Sequence, residues 1–85
     1  MYTVRFSKRA EKSLKKIDSV MRRRVLDKLK YLEINPRMGS NIKAMQGFTN
    51  RYRYRLGDFR IVYEVIDDDL VVWLLDADWR GNIYK

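Results

Sequence analysis

Tyr52-Arg53-Tyr54-Arg55 places two arginines two residues apart, and Arg60 follows just beyond Gly57-Asp58. Residues i and i+2 of a strand point to the same face, so Arg53 and Arg55 share one. A tight turn at Gly57-Asp58 would set Arg60, on the next strand, close to Arg55. Like charges opposite each other on a sheet destabilise it. A fold that keeps such a cluster needs something to offset it, and an anion held between the guanidiniums is the simplest agent. The alternative is that each arginine pairs with a carboxylate such as Glu64 or Asp58. Guanidinium forks hold phosphate bidentately. Arg80 and Tyr84 lie beyond the last apolar run. An arginine beside an aromatic ring suits RNA, whose splayed bases stack on such rings. Taken alone, Tyr84 reads equally well as a terminal packing residue.

The chain has no histidine and no cysteine. That removes disulfides, a thiolate nucleophile and a thiolate metal site. It also removes the commonest acid–base group at neutral pH and the commonest metal ligand. The expectation is a site with no metal and no cofactor, working through fixed charge.

The elements that must position these residues are legible in outline. Tyr2, Val4 and Phe6 alternate with Thr3 and Arg5, the pattern of a half-buried strand. Ser7 is placed to cap a helix, and Ala10, Leu14 and Ile17 give that helix a narrow apolar stripe. Asp18-Ser19 interrupts it and offers a second cap. Met21, Val25, Leu29 and Leu32 then form the stripe of a second helix, with Leu26 widening it, until Asn35-Pro36 ends it. So short a break predicts an antiparallel helical hairpin. Residues 37–50 read mostly as loop, with a short strand at Ile42–Met45. Tyr52–Leu56, Phe59–Ile66 and Leu70–Ala77 read as a three-stranded antiparallel meander, the last strand lying inside the sheet. The expected fold is α+β with two layers: an antiparallel sheet, made of the N-terminal strand and the meander, packed on the helical hairpin.

Eighty-five residues suffice for one domain, here residues 1–85, and 46% hydrophobic residues suffice for its core. The N-terminus does not read as a signal sequence, and no apolar run approaches the ~20 residues of a membrane span. A soluble cytoplasmic protein is expected. A net charge of +8 attracts polyanions. Much of that charge falls on the hairpin, where Lys8, Arg9, Lys12, Lys15, Lys16, Arg22 and Arg23 offer a sequence-independent grip on phosphate that a large ribonucleoprotein would reward, joined by Lys43 in the loop region. The competing reading is a solvated helix face that keeps the protein soluble.

The ordered set is more specific than its parts. A strand, a basic helical hairpin closed by Asn35-Pro36-Arg37, the run Tyr-Arg-Tyr-Arg-Leu-Gly-Asp-Phe-Arg-Ile-Val-Tyr-Glu-Val at 52–65, and Trp79-Arg80-Gly81-Asn82-Ile83-Tyr84 at the end resemble the RelE/ParE toxin superfamily nearly end to end. The resemblance implies a RelE-like fold and the toxin of a type II toxin–antitoxin pair. Members of the RelE branch enter the ribosomal 30S A site and cut messenger RNA. The ribose 2′-hydroxyl attacks the adjacent phosphate, leaving a 2′,3′-cyclic phosphate and a free 5′-hydroxyl. Matched by position, Arg53 and Arg55 fall on that branch's paired strand cations and Arg60 on its phosphate-binding arginine. Arg80 falls on the arginine near the leaving group, and Tyr84 on the tyrosine that stacks against the base. The implied protein partner is an acidic antitoxin that folds onto the positive groove. Operator DNA would be reached only through that complex.

The chain departs from the pattern in two places. Arginines stand where well-known RelE members carry lysines, and arginine is effectively never deprotonated. The general base must then be sought in Tyr84, Glu64 or Asp78, or ribosomal RNA must supply much of the rate. Asp78-Trp79 stands where many relatives have Gly-His. Two other functions share the resemblance: a ParE-like inhibitor of DNA gyrase, and a catalytically weak co-repressor that only binds the antitoxin. The set Arg53, Arg55, Arg60, Arg80 and Tyr84 favours the ribonuclease.

Overall fold

The computed structural model describes residues 1–79. Their elements run β1 (Thr3–Phe6), α1 (Lys8–Lys16), α2 (Ser19–Ile34), β2 (Ile42–Ala44), β3 (Arg51–Leu56), β4 (Phe59–Ile66) and β5 (Val71–Trp79). The strands form one five-stranded sheet in the order β1-β5-β4-β3-β2.

Both helix starts carry the caps expected of them. Ser7 Oγ accepts the Ala10 N–H at 3.0 Å and donates to Leu75 O at 2.9 Å, so the hydroxyl that starts α1 also pins it to β5. Asp18 Oδ1 accepts the Met21 N–H at 2.8 Å. Each cap satisfies one of the first-turn donors that a helix leaves over, a contribution of about 1 kcal/mol. Arg22 reaches back across the break to the carbonyls of Leu14, Lys15 and Ile17 at 3.1–3.2 Å. It thereby fills the complementary deficit at the C-terminus of α1.

The helices cover one face of the sheet. Ala10, Ile17, Val25, Leu29 and Leu32 are buried from the helical side. They meet Tyr54, Leu56, Phe59, Ile61, Tyr63, Val65, Val72, Leu74 and Ala77 from the sheet. Leu26 does not widen the stripe as its spacing suggests; it remains 48% exposed. The set Val25, Leu29, Leu32 already fills the inward face of α2, and Leu26 falls on its flank.

The antiparallel meander β3–β4–β5 is as expected, and β2 pairs antiparallel to β3 at the edge. The N-terminal strand joins the other edge in the parallel sense, from Thr3↔Val71 to Phe6↔Leu74. The sheet is therefore mixed. Alternation of inward Val4 and Phe6 with outward Thr3 and Arg5 is satisfied equally by either strand direction, which is why pattern alone does not settle it.

Two polar knots hold the layers in register. The buried Tyr63 hydroxyl donates to Pro36 O, and burial raises its pKa well above that of a free phenol, so it stays a neutral donor. Its ring stacks on Tyr52 with centroids 5.8 Å apart. Arg37 spans the second knot. It donates to both carboxylate oxygens of Asp67 at 3.0 and 2.8 Å, to Tyr52 Oη at 3.1 Å and to Asn50 Oδ1 at 3.0 Å. Tyr2 Oη donates to Asp67 Oδ1 at 2.8 Å. The Arg37 hydrogen bond, with that of Tyr2, holds the Asp67 carboxyl below its ordinary pKa, and the same pairing raises that of Arg37. No helix among the described residues is long and apolar enough to cross a membrane.

Candidate functional site

Because alternate strand residues share a face, the side that the helices leave open is set by register. Lys43 on β2 lies beside Arg53 on β3, and Arg53 beside Val62 on β4. One step along, Arg55 lies beside Arg60, and Arg60 beside Asp78 on β5. One step in the other direction, Arg51 lies beside Glu64. Lys43, Arg51, Arg53, Arg55 and Arg60 thus form a cationic field on three neighbouring strands.

Its densest point is the β3–β4 turn. Gly57 has φ 62, the left-handed region that a tight hairpin requires and that a residue with a Cβ enters at a cost. That turn aims the Gly57 carbonyl at both arginines: Arg60 Nη1 donates to it at 2.7 Å and Arg55 Nε at 3.4 Å. Two guanidiniums therefore converge on one neutral oxygen. Arg60 is only 5% exposed, and its Nε has no hydrogen-bond partner. A buried cation with an unmet donor is costly. An oxyanion at this point would meet the donor and the charge together.

The acidic residues beside this field are differently engaged. Glu64 accepts from Arg51 at 3.3 Å, and Asp76 pairs with Arg9 at 3.3 Å. Asp76 Oδ1 also accepts the Ala77 N–H, and Asp78 Oδ1 the Trp79 N–H at 2.7 Å. Strand β1 covers β5 only as far as Leu74. The two aspartates cover edge N–H groups beyond that point, which extends β5 two residues past the expected Ala77 and fixes the Asp78 carboxylate beside Arg60. Among the described residues, no cluster of three or more His, Cys, Asp or Glu side chains is arranged to hold a metal ion.

Of the residues singled out in the sequence, Arg53, Arg55 and Arg60 come together on one face, with Lys43 beside them. Arg80 and Tyr84 lie outside the described residues. Lys8, Lys12, Lys15, Lys16 and Arg23 are exposed on the helices. Arg9 turns to Asp76, and Arg22 is occupied by the carbonyls of α1. Sequence reasoning passed over Arg51, although Arg51-Tyr52-Arg53-Tyr54-Arg55 extends the same alternation by one step. It also passed over the Arg37–Asp67 clamp, whose members are 30 residues apart.

A family model described as the ParE toxin of type II toxin–antitoxin system, parDE, matches residues 4–78. The chain belongs to the RelE/ParE toxin family. This RelE-like toxin is 31% identical over 81 residues to the mRNA interferase toxin RelE of Escherichia coli K12, which spans 93% of the chain and 83% of that relative. Its fold is similar to the toxin of the intact E. coli RelBE toxin–antitoxin complex, with a TM-score of 0.83, 30% identity, and coverage of 93% of this chain and 96% of that one. The archaeal RelE–RelB complex of Pyrococcus horikoshii OT3 gives 0.81 at 32% identity, over 95% and 97% of the two chains. The chain is thus a RelE-like toxin of a toxin–antitoxin system with the two-layer α+β fold of RelE structures.

Proposed function

We propose that this toxin is an endoribonuclease that cuts messenger RNA in the ribosomal A site, and that a cognate acidic antitoxin neutralises it. The observation that carries the reading is the convergence of Arg55 and Arg60 on the Gly57 carbonyl, with the Arg60 Nε unmet. A phosphodiester seated there receives both guanidiniums on its non-bridging oxygens. Lys43 and Arg53 extend the field along the strand to the neighbouring phosphates. The relative named an mRNA interferase supports RNA as the polyanion.

In the proposed reaction the 2′-oxygen attacks the adjacent phosphorus and the P–O5′ bond breaks. The products are a 2′,3′-cyclic phosphate and a 5′-hydroxyl. Arg55 and Arg60 stabilise the dianionic pentacoordinate state, whose charge exceeds that of the ground state. Neither can take the 2′-hydroxyl proton. Asp78 is the carboxylate that register sets beside Arg60, and it accepts that proton and passes it to solvent. The departing 5′-oxygen takes a proton from water, with Arg80 assigned to it by resemblance. The exposed cations of α1 and α2 hold ribosomal RNA without reading its sequence.

Induced expression of the chain alone, followed by mapping of RNA 5′ ends, tests this reading. New 5′-hydroxyl ends inside translated codons are the expected result. Intact messages with DNA breaks would instead identify a gyrase inhibitor, in keeping with the ParE description of the family model. Unimpaired growth with intact RNA and DNA would leave only a co-repressor.

A further inference from the structure

The loop between β2 and β3 carries an aromatic ring that neither the core nor the proposed cleavage centre uses. Phe48 is 51% exposed, and the Arg51 guanidinium lies over its ring, 4.0 Å from the centroid. One ring face is therefore covered by a cation while much of the remainder meets solvent. The loop that presents it is tightly specified. Gly47 and Asn50 take left-handed φ values of 83° and 61°. Met45 N–H donates to Arg51 O at 2.9 Å, Val65 N–H to Asn50 O at 2.8 Å, and Arg37 to Asn50 Oδ1 at 3.0 Å. A large apolar ring held out from an anchored loop has paid much of its ordering cost before any ligand arrives.

The cation over the ring belongs to the row already described. Arg51 shares its face with Arg53 and Arg55, and Arg55 lies four residues further along the strand than Arg51, about 13 Å. Glu64 accepts from Arg51 at 3.3 Å and fixes the guanidinium where it stacks, while its buried Nε has no hydrogen-bond partner. Phosphate-binding cations in line with an exposed stacking surface make up the pattern by which proteins hold single-stranded nucleic acid.

We propose that Phe48, backed by Arg51, is a stacking subsite for a base of single-stranded RNA flanking the phosphate held at Arg55 and Arg60. The subsite rests on the reading of that centre as an RNA site and adds a second point of contact to it. A π-face accepts any base, so the subsite sets how much flanking RNA is gripped and in which direction the strand runs across the sheet, from the turn at Gly57 toward the loop at Phe48.

The test uses the purified toxin and short 2′-O-methyl RNA oligonucleotides, which lack the attacking hydroxyl, carrying one abasic nucleotide at successive positions. Affinity is read by fluorescence anisotropy at low salt. For the wild type, one flanking abasic position should weaken binding roughly 5- to 100-fold, the usual weight of one base stacked on an aromatic. Phe48→Leu should weaken binding of intact RNA by the same factor and become indifferent to that abasic position. Phe48→Trp should retain the sensitivity. Arg60→Met should weaken every oligonucleotide alike and leave the abasic profile in place. If Phe48→Leu keeps the wild-type profile, the subsite is wrong while RNA binding stands. If the folded wild type binds none of the oligonucleotides, alone or placed in the A site of ribosomes, the RNA reading and the subsite fall together.

Discussion

Arg60→Met separates what Arg60 does for the fold from what it does for a ligand. Methionine keeps an unbranched stem in the buried slot and removes only the guanidinium. The lost bond from Nη1 to the Gly57 carbonyl, at 2.7 Å, involves a charged donor and a turn oxygen that water can reach afterwards. Its loss costs about 1.5 kcal/mol, the low end for such bonds. Two penalties vanish with it. An unmet buried donor such as the Arg60 Nε costs about 1–3 kcal/mol. The like-charge pairing with Arg55 costs about 0.2–1 kcal/mol. The attraction of Arg60 for the Asp78 carboxylate beside it is lost as well, at about 0.2–1 kcal/mol. The variant is therefore expected to lie between about 1 kcal/mol less stable and about 2 kcal/mol more stable than the wild type, with Tm moved by no more than several degrees. Binding should weaken whatever the sign of that change. The slope of log Kd against log salt should fall by about 0.7, the value of one phosphate contact to a single strand. Cleavage should fall about 100- to 1,000-fold, as for loss of one preorganised donor to a transition-state oxyanion. Thermal melting and anisotropy titrations at several salt concentrations measure both arms. A destabilisation above about 2 kcal/mol with an unchanged salt slope would show Arg60 to be a structural residue and would refute the anion site.

Three further outcomes are expected. Asp78→Asn, which keeps an oxygen for the Trp79 N–H, should abolish cleavage while RNA affinity holds or improves; in Asp78→Ala, added formate should restore part of the rate, which a purely positioning role would not allow. Because Arg37 and Tyr2 hold the Asp67 carboxyl below its ordinary pKa, the unfolded chain binds the proton more tightly than the folded one. The stability Asp67 contributes is complete above the ordinary carboxylate pKa of about 4 and is lost as pH falls through the lowered value. Asp67→Asn should accordingly flatten the decline of Tm between about pH 5 and pH 2 and lower Tm at neutral pH. Arg22→Met frees three carbonyls of α1 and should cost about 1 kcal/mol, a Tm loss of several degrees, with RNA affinity changed only as for any single exposed cation.

The parts of the site that were legible in the sequence are those fixed by short range. A two-residue turn sets the register of a hairpin, so the meeting of Arg55 and Arg60 follows from spacing alone. Ser7 and Asp18 were legible as caps for the same reason, since each acts on a residue three positions away. What was not legible depends on where long side chains end. Arg22 and Arg9 read as two more surface cations on amphipathic helices, yet one reaches back to the carbonyls that end α1, and the seat of α1 on β5 turns the other onto Asp76. Arg37 and Asp67 meet only because the loop after α2 lies against the β4–β5 turn. Phe48 offered a single aromatic in a loop, and only the position of Arg51 gives it meaning. The direction of β1 was hidden because its inward and outward residues are the same whichever way it runs.

That parallel pairing has a consequence for when the sheet is completed. The first strand made, β1, has no ladder partner until β5 emerges, 68 residues later in each pair. Asp78 reaches Arg60 only with the same strand. Contacts of such long sequence separation form late, because the closure entropy of the intervening chain must be met first. A nascent chain that stops short of residue 71 holds the arginine hairpin but lacks the inner strand that orders the sheet around it. The edge ladder of β1 and the Arg60–Asp78 pair are thus completed only by the last strand to be made.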